Sequence, residues 1–201
     1  IFPQPRIRGP LFMPISRKRV AELELAKARF TASRNSTTPL VIQFIGSVYS
    51  PRDEFLQVVK VKLAEKGIEL TINSDKAGTS NDDYWRILVE SDIIFTTTLQ
   101  GPTRAFMDWI WVRQAVFRYA ETMAAGTALV AQCVEGGFPY FTKDADYLEF
   151  EGVDQAVTAL TALATDSDLR QRIADGGHAT MTHYVNDGAF WKVVTQCCQP
   201  D

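Results

Sequence analysis

A chain of 201 residues with 46% hydrophobic and 22% charged side chains has room for one α/β domain with appendages, and not for two such domains. Its 21 basic and 24 acidic side chains give a net charge of −3, and no Lys/Arg block is present to meet a nucleic-acid backbone or an anionic membrane. The odd set of Cys133, Cys197 and Cys198 forms no disulfide framework, so a reducing, cytoplasmic setting is expected, and no run approaches the roughly 18–20 apolar residues of a membrane span.

Residues 1–16 hold Pro3, Pro5, Pro10 and Pro14 and read as an extended connection. They carry neither an initiator methionine nor a signal-peptide pattern, so the chain reads as a fragment or a trimmed piece. From Ser16 to about Ser33, Val20, Leu23, Lys27 and Phe30 recur at a partly helical spacing among many charges. This predicts a solvent-facing helix, or an arm that packs on a missing partner. Residues 1–38 are thus expected to be linker and helix, 39–184 the globular domain, and 185–201 a C-terminal helix and tail.

Leu40 to Ile45 is a β-branched-rich run that suits a strand covered on both faces. Ser50-Pro51 opens a predicted helix, with serine as N-cap and Asp53 in the first turn. Phe55, Val59 and Leu63 form its expected buried stripe, and Gly67 ends it. Ile68–Ile72 is the second predicted strand. Asn81-Asp82-Asp83 caps a helix that turns Trp85, Leu88 and Val89 inward, and Asp92–Thr96 is the third strand. An aromatic-rich stretch becomes helical by about Trp111 and ends at Gly126. Strands over 128–131 and 147–150 follow, then helices over 153–164, 169–183 and 190–195. Strands alternating with helices in this way predict a Rossmann-like, doubly wound, mostly parallel sheet. A ligand is then expected beyond the carboxyl ends of the strands, at Gly46, Asn73, Thr97 and Gln132.

Gly46 and Ser47 end the first strand where the backbone can approach a ligand and the next helix offers free N–H groups to an anion. Arg52 could add a charge-assisted contact to phosphate; equally, the segment is an ordinary strand-to-helix turn with Arg52 exposed. No G-x-G-x-x-G and no Walker A lysine loop is present, which disfavours a dinucleotide dehydrogenase or P-loop ATPase. Further on, Glu121 precedes a small-residue turn and could accept from both hydroxyls of a ribose. The alternative is a surface glutamate paired with Arg118 three residues earlier. Trp109 and Trp111 could stack on a base or sugar and Arg104 or Arg113 could neutralise a diphosphate, or the aromatics are a helix's buried stripe. Glu135-Gly-Gly-Phe138 is a loop over a donor sugar or a plain glycine turn. His178 and His183 are five apart, off the spacing that shares a metal on one helix face, and no metal site is expected.

The segment R-Y-A-E-T-M-A-A-G-T-A-L-V-A resembles the donor-site signature of retaining GT-B glycosyltransferases, C-terminal donor-binding domain. F-I-G-S-V-Y-S-P-R-D-E-F-L resembles that domain's first strand and loop. Y-W-R-I-L-V-E-S-D-I-I-F-T-T is similar to its helix–strand step, and D-A-D-Y-L-E-F with R-Q-R-I-A-D-G-G-H-A-T-M-T-H-Y to its closing stretch. The nearest types are the spore-maturation-like and exostosin-like enzymes. The resemblance implies that Glu121 holds the nucleotide ribose, that Gly46 and Ser47 lie by the donor phosphates and sugar, that Arg118 reaches a phosphate, and that Thr122 contacts the diphosphate. Many retaining members carry two glutamates eight positions apart, and the partner position here is Arg113.

The expected activity is sugar transfer from a nucleotide diphosphate sugar to a hydroxyl acceptor, with retention. No cofactor is implied besides that substrate, and the acceptor domain would precede this chain. The competing readings are a sugar-nucleotide epimerase and a non-catalytic module derived from a transferase half.

Overall fold

The computed structural model describes residues 15–35, 37–74, 80–98, 117–134 and 140–188. Five strands, β1 (Ile42–Ile45), β2 (Thr71–Asn73), β3 (Ile93–Thr96), β4 (Ala128–Gln132) and β5 (Leu148–Phe150), form one sheet in the order β2-β1-β3-β4-β5. Every pairing is parallel. Helices α1 (Arg17–Ala32), α2 (Arg52–Ala64), α3 (Asn81–Val89), α4 (Phe117–Ala124), α5 (Val153–Thr165) and α6 (Ser167–Asp187) complete the described elements. The expected Rossmann-like, doubly wound architecture is what the chain adopts.

Alternate residues of the strands feed two separate cores, which is why the central strands are mostly apolar, with Gln43 the polar residue inside β1. Phe44, Phe95 and Val130 pack with Leu56, Val59 and Leu63 of α2 and Leu160 and Leu163 of α5 on one face. Ile45, Ile94, Leu129 and Ala131 pack with Leu88 of α3, Tyr119 and Met123 of α4 and Met181 of α6 on the other.

Several expected boundaries move for local reasons. The second strand begins at Thr71, not Ile68, because the Ile68 amide is bound to the Leu63 carbonyl and Gly67 (φ +73°) turns the chain off the end of α2. Ser50 does not cap α2: Pro51 holds the N-cap position with no side-chain cap, and the Ser50 hydroxyl bonds Glu54 instead. The fully buried stripe of α2 runs through Leu56, Val59 and Leu63, while Phe55 is half-buried against the same core, its ring stacked on Phe95 and Phe150. Ser80, one residue before the expected Asn81-Asp82-Asp83 cap, accepts from the Asp83 amide. Helix α6 extends to Asp187 and stops at Gly188 in the left-handed conformation. The helix expected over 190–195 lies outside the described residues.

The largest correction concerns α1. It is not a free solvent-facing arm: Val20 and Leu23 are buried in the same core cluster as α3, α4 and α6. Lys27 donates to the carbonyls of Val89 and Ser91 and to Thr127 Oγ1, tying α1 to the end of α3 and the start of β4. Three acceptors, two of them carbonyls at a helix's carboxyl end, compensate the charge that is drawn out of water.

Candidate functional site

In a parallel sheet of order 2-1-3-4-5 the chain reverses its winding direction between β1 and β3, and the crevice beyond their carboxyl ends is where such folds bind ligands. Gly46 ends β1 and Thr97 follows β3 there. Gly46 has φ +144°, a conformation that costs any other residue dearly. Its missing side chain is also filled space: a Cβ there would lie 2.7 Å from Nη2 and 2.9 Å from Nη1 of Arg118.

Arg118 therefore spans the crevice. It leaves the first turn of the described part of α4, approaches Thr96 Oγ1 of β3 at 3.5 Å, and lies over the Phe44 ring of β1 with its guanidinium carbon 6.0 Å from the centroid. Its Nε is buried and has no hydrogen-bond partner among the described residues. One helical turn on, Glu121 accepts a hydrogen bond on Oε2 from the Tyr84 hydroxyl of α3. Burial pushes the Glu121 carboxyl above its ordinary value, and the Tyr84 hydrogen bond and the Arg118 charge oppose that rise. Burial raises the Tyr84 phenol as well, followed by the negative charge of Glu121, so it stays a donor.

The remaining expected residues divide. Ser47 is exposed beside Gly46 in the crevice mouth. Arg52, read as exposed or as a phosphate contact, is buried and folds back: Nη1 donates to the Ser47 carbonyl at 2.8 Å and its guanidinium carbon lies 4.7 Å from the centre of the Tyr49 ring. It shapes the loop from below. Thr97 is buried, with its hydroxyl given to Gln132 Oε1 at 2.7 Å, and the Thr98 amide shares the same acceptor. This hub ties the ends of β3 and β4 together. Thr122 is fully buried, and its hydroxyl has no partner among the described residues. It sits on the core side of α4, so the expected hydroxyl contact with a diphosphate is enclosed by protein.

Trp109, Trp111, Arg104, Arg113 and the Glu135–Phe138 loop lie outside the described residues. His178 and His183 do not converge: Nδ1 of His178 faces the Met123 carbonyl at 3.3 Å, and His183 is exposed. Among the described residues neither histidine has a hydrogen bond to Gly46, Arg118 or Glu121. Sequence reasoning missed Tyr84. The available signal was a tyrosine one turn into a capped amphipathic helix, whose hydroxyl must find a partner once the ring is covered.

The glycosyl transferase-like family model matches residues 47–187, well over half the chain. Among solved structures, WaaG, a glycosyltransferase involved in lipopolysaccharide biosynthesis, superposes with a TM-score of 0.56 at 14% identity, covering 93% of this chain and 53% of that one. A TarM mutant from S. aureus, solved with fondaparinux, alpha-GlcNAc-glycerol and UDP, gives 0.55 at 12% identity, covering 82% of this chain and 37% of that one. The C-terminal domain of LpcC from Francisella tularensis gives 0.48 at 20% identity, covering 85% and 82%. The chain thus spans about half of WaaG and little more than a third of TarM. No curated protein matches. The match stands at the level of the family and does not extend to a spore-maturation or exostosin subgroup. The chain belongs to the glycosyl transferase-like family and has the Rossmann-like fold of the C-terminal half of a GT-B glycosyltransferase.

Proposed function

We propose that this domain binds the nucleotide diphosphate of a sugar donor in the β1/β3 crevice and presents the sugar for transfer, with retention, to a hydroxyl acceptor held by a domain outside this chain. The observation that carries the reading is the seat of Arg118. A guanidinium packed against a side-chain-free glycine at the switch point, with a buried carboxylate one turn away on the same helix, pairs a diphosphate contact with a ribose contact.

In this reading Glu121 accepts from the ribose hydroxyls. Arg118 meets the diphosphate, and Gly46 and Ser47 let the phosphates and the reacting sugar come against the main chain. As the bond between sugar and diphosphate breaks, negative charge grows on the leaving phosphate. Arg118 and the amino end of α2 offset that charge without reorganising. Arg52 and Thr97 serve by holding the loop and the strand ends in place. TarM, of the same fold, was solved with UDP, which supports a nucleoside diphosphate as the ligand class.

These 201 residues by themselves are expected to bind nucleotide weakly and to transfer little sugar. The test is calorimetric titration with UDP, GDP, ADP and CDP and their sugar conjugates, on wild type and Glu121→Ala. Binding of at least one nucleotide, weakened tenfold or more by Glu121→Ala, is the expected result. No binding to any of them, or equal binding by the variant, would remove the reading and leave a protein-interaction module.

A further inference from the structure

Glu121 has two carboxylate oxygens and two different surroundings for them. Oε2 accepts from the Tyr84 hydroxyl, whereas Oε1 has no donor among the described residues. Tyr84 itself is held: it sits in the first half of α3, whose start Ser80 caps, and its ring meets Trp85 edge-on with centroids 5.6 Å apart and planes at 78°. The positive charge of Arg118 acts on the Tyr84 phenol and on the Glu121 carboxyl alike, so the three groups form one electrostatic cluster. A buried carboxylate with one donor on one oxygen is fixed in rotation and has one oxygen to spare.

We propose that Tyr84 is the positioning residue of this site: by holding Oε2 of Glu121 it leaves Oε1 as the oxygen that accepts from the donor ribose. The proposal rests on the reading of Glu121 as the ribose contact. Tyr84 does not touch the donor; it acts through the carboxylate, fixing its orientation and favouring its ionised form.

The groups that act on Glu121 among the described residues are Tyr84 from α3 and Arg118 from its own helix. The other elements packed on α4 direct their titratable groups elsewhere. Lys27 of α1 reaches Val89, Ser91 and Thr127, and His178 of α6 reaches the Met123 carbonyl. With burial pushing the carboxyl toward its neutral form, removal of the Tyr84 donor withdraws one of two opposing influences.

Tyr84→Phe keeps the ring against Trp85 and removes only the hydroxyl. Two readouts are taken on the full chain, with folding of each variant checked by tryptophan fluorescence. In the free chain, a ¹³C NMR titration of the glutamate carboxyls is expected to show the Glu121 midpoint moved upward in Tyr84→Phe, because the hydrogen bond that opposes the burial-driven rise is gone. With UDP as the probe, wild-type affinity falls as pH drops through the Glu121 midpoint. In Tyr84→Phe the same fall is expected at a pH higher by a similar interval, and Glu121→Gln is expected to show no such limb. An unmoved Glu121 midpoint in Tyr84→Phe overturns the positioning role while leaving the ribose contact standing. UDP affinity unchanged by Glu121→Ala overturns the ribose contact itself, and the Tyr84 proposal with it.

Discussion

Gly46→Ala separates two costs that the structure superposes at one position. The first is backbone: at φ +144° an L side chain is strained by roughly 1–3 kcal/mol. The second is the new methyl group, placed 2.7 Å from Nη2 and 3.0 Å from Cζ of Arg118. The guanidinium is the far end of a flexible side chain, so it yields. It is nevertheless confined by Phe44 and Thr96 and has a buried Nε, so moving it off its rotamer adds about 0.5–1.5 kcal/mol. The sum is about 1.5–4.5 kcal/mol, a large part of the roughly 5–15 kcal/mol that holds a domain folded. Urea denaturation followed by tryptophan fluorescence measures it in wild type and again in an Arg118→Ala background. There the three atoms nearest the methyl are gone and the backbone cost dominates, so the two values should differ by about 0.5 kcal/mol or more. Equal costs in the two backgrounds would mean that the guanidinium is not seated against Gly46. The seat is the premise of the whole site.

Three other substitutions test neighbouring parts of the account. Lys27→Met reports on the half-buried lysine that clamps α1. Desolvation depresses the Lys27 ammonium from 10.5 to about 8, so between those two pH values the unfolded chain binds the proton and the folded one does not. Stability from this group therefore rises with pH across that window, by roughly 3 kcal/mol at 1.36 kcal/mol per unit, and the variant should lack that rise when the two urea curves are compared from pH 7.5 to 10.5. Thr122→Val removes a fully buried, unpartnered hydroxyl. It should stabilise the fold by about 1 kcal/mol and leave nucleotide affinity within twofold; a tenfold loss would place the hydroxyl in the donor site after all. Gly176→Ala puts a Cβ 2.3 Å from the Ala145 carbonyl oxygen, forcing α6 off the loop before β5. A loss of about 1–3 kcal/mol is expected in denaturation; a neutral effect would contradict that packing.

What the sequence made legible follows from the range of the interactions involved. The strands Ile42–Ile45 and Ile93–Thr96 are buried on both faces, so their apolar runs announce themselves. Gly46, Arg118 and Glu121 stood out because a glycine at a strand end and charges on a small-residue helix are local patterns. The direction of Arg118 was not legible: spacing alone permits a pair with Glu121, and only the β1–β3 pairing carries the guanidinium across to Gly46. Arg52 was read as a phosphate contact or as an exposed turn residue, and its burial was not legible, since the Ser47 carbonyl five residues back and the Tyr49 ring that receive it lie within its own loop. Tyr84 lies 37 residues from Glu121, and no periodicity links the two. Helix α1 was read as a solvent-facing helix or an arm on a missing partner because its apolar residues are sparse among many charges; in the structure Val20 and Leu23 are the two of its 16 residues that are buried. A lysine that docks on carbonyls looks, in sequence, like any exposed lysine.

The claim that Glu121 receives a ribose is tested most directly by removing the ribose hydroxyls and the carboxylate in turn. Calorimetric affinities of wild type and Glu121→Ala for a nucleoside diphosphate and for its 2′,3′-dideoxy analogue form a closed cycle. The account predicts that wild type binds the parent nucleotide at least tenfold more tightly than the analogue, and that Glu121→Ala binds the two alike. A preference for the ribose that survives intact in Glu121→Ala would contradict it.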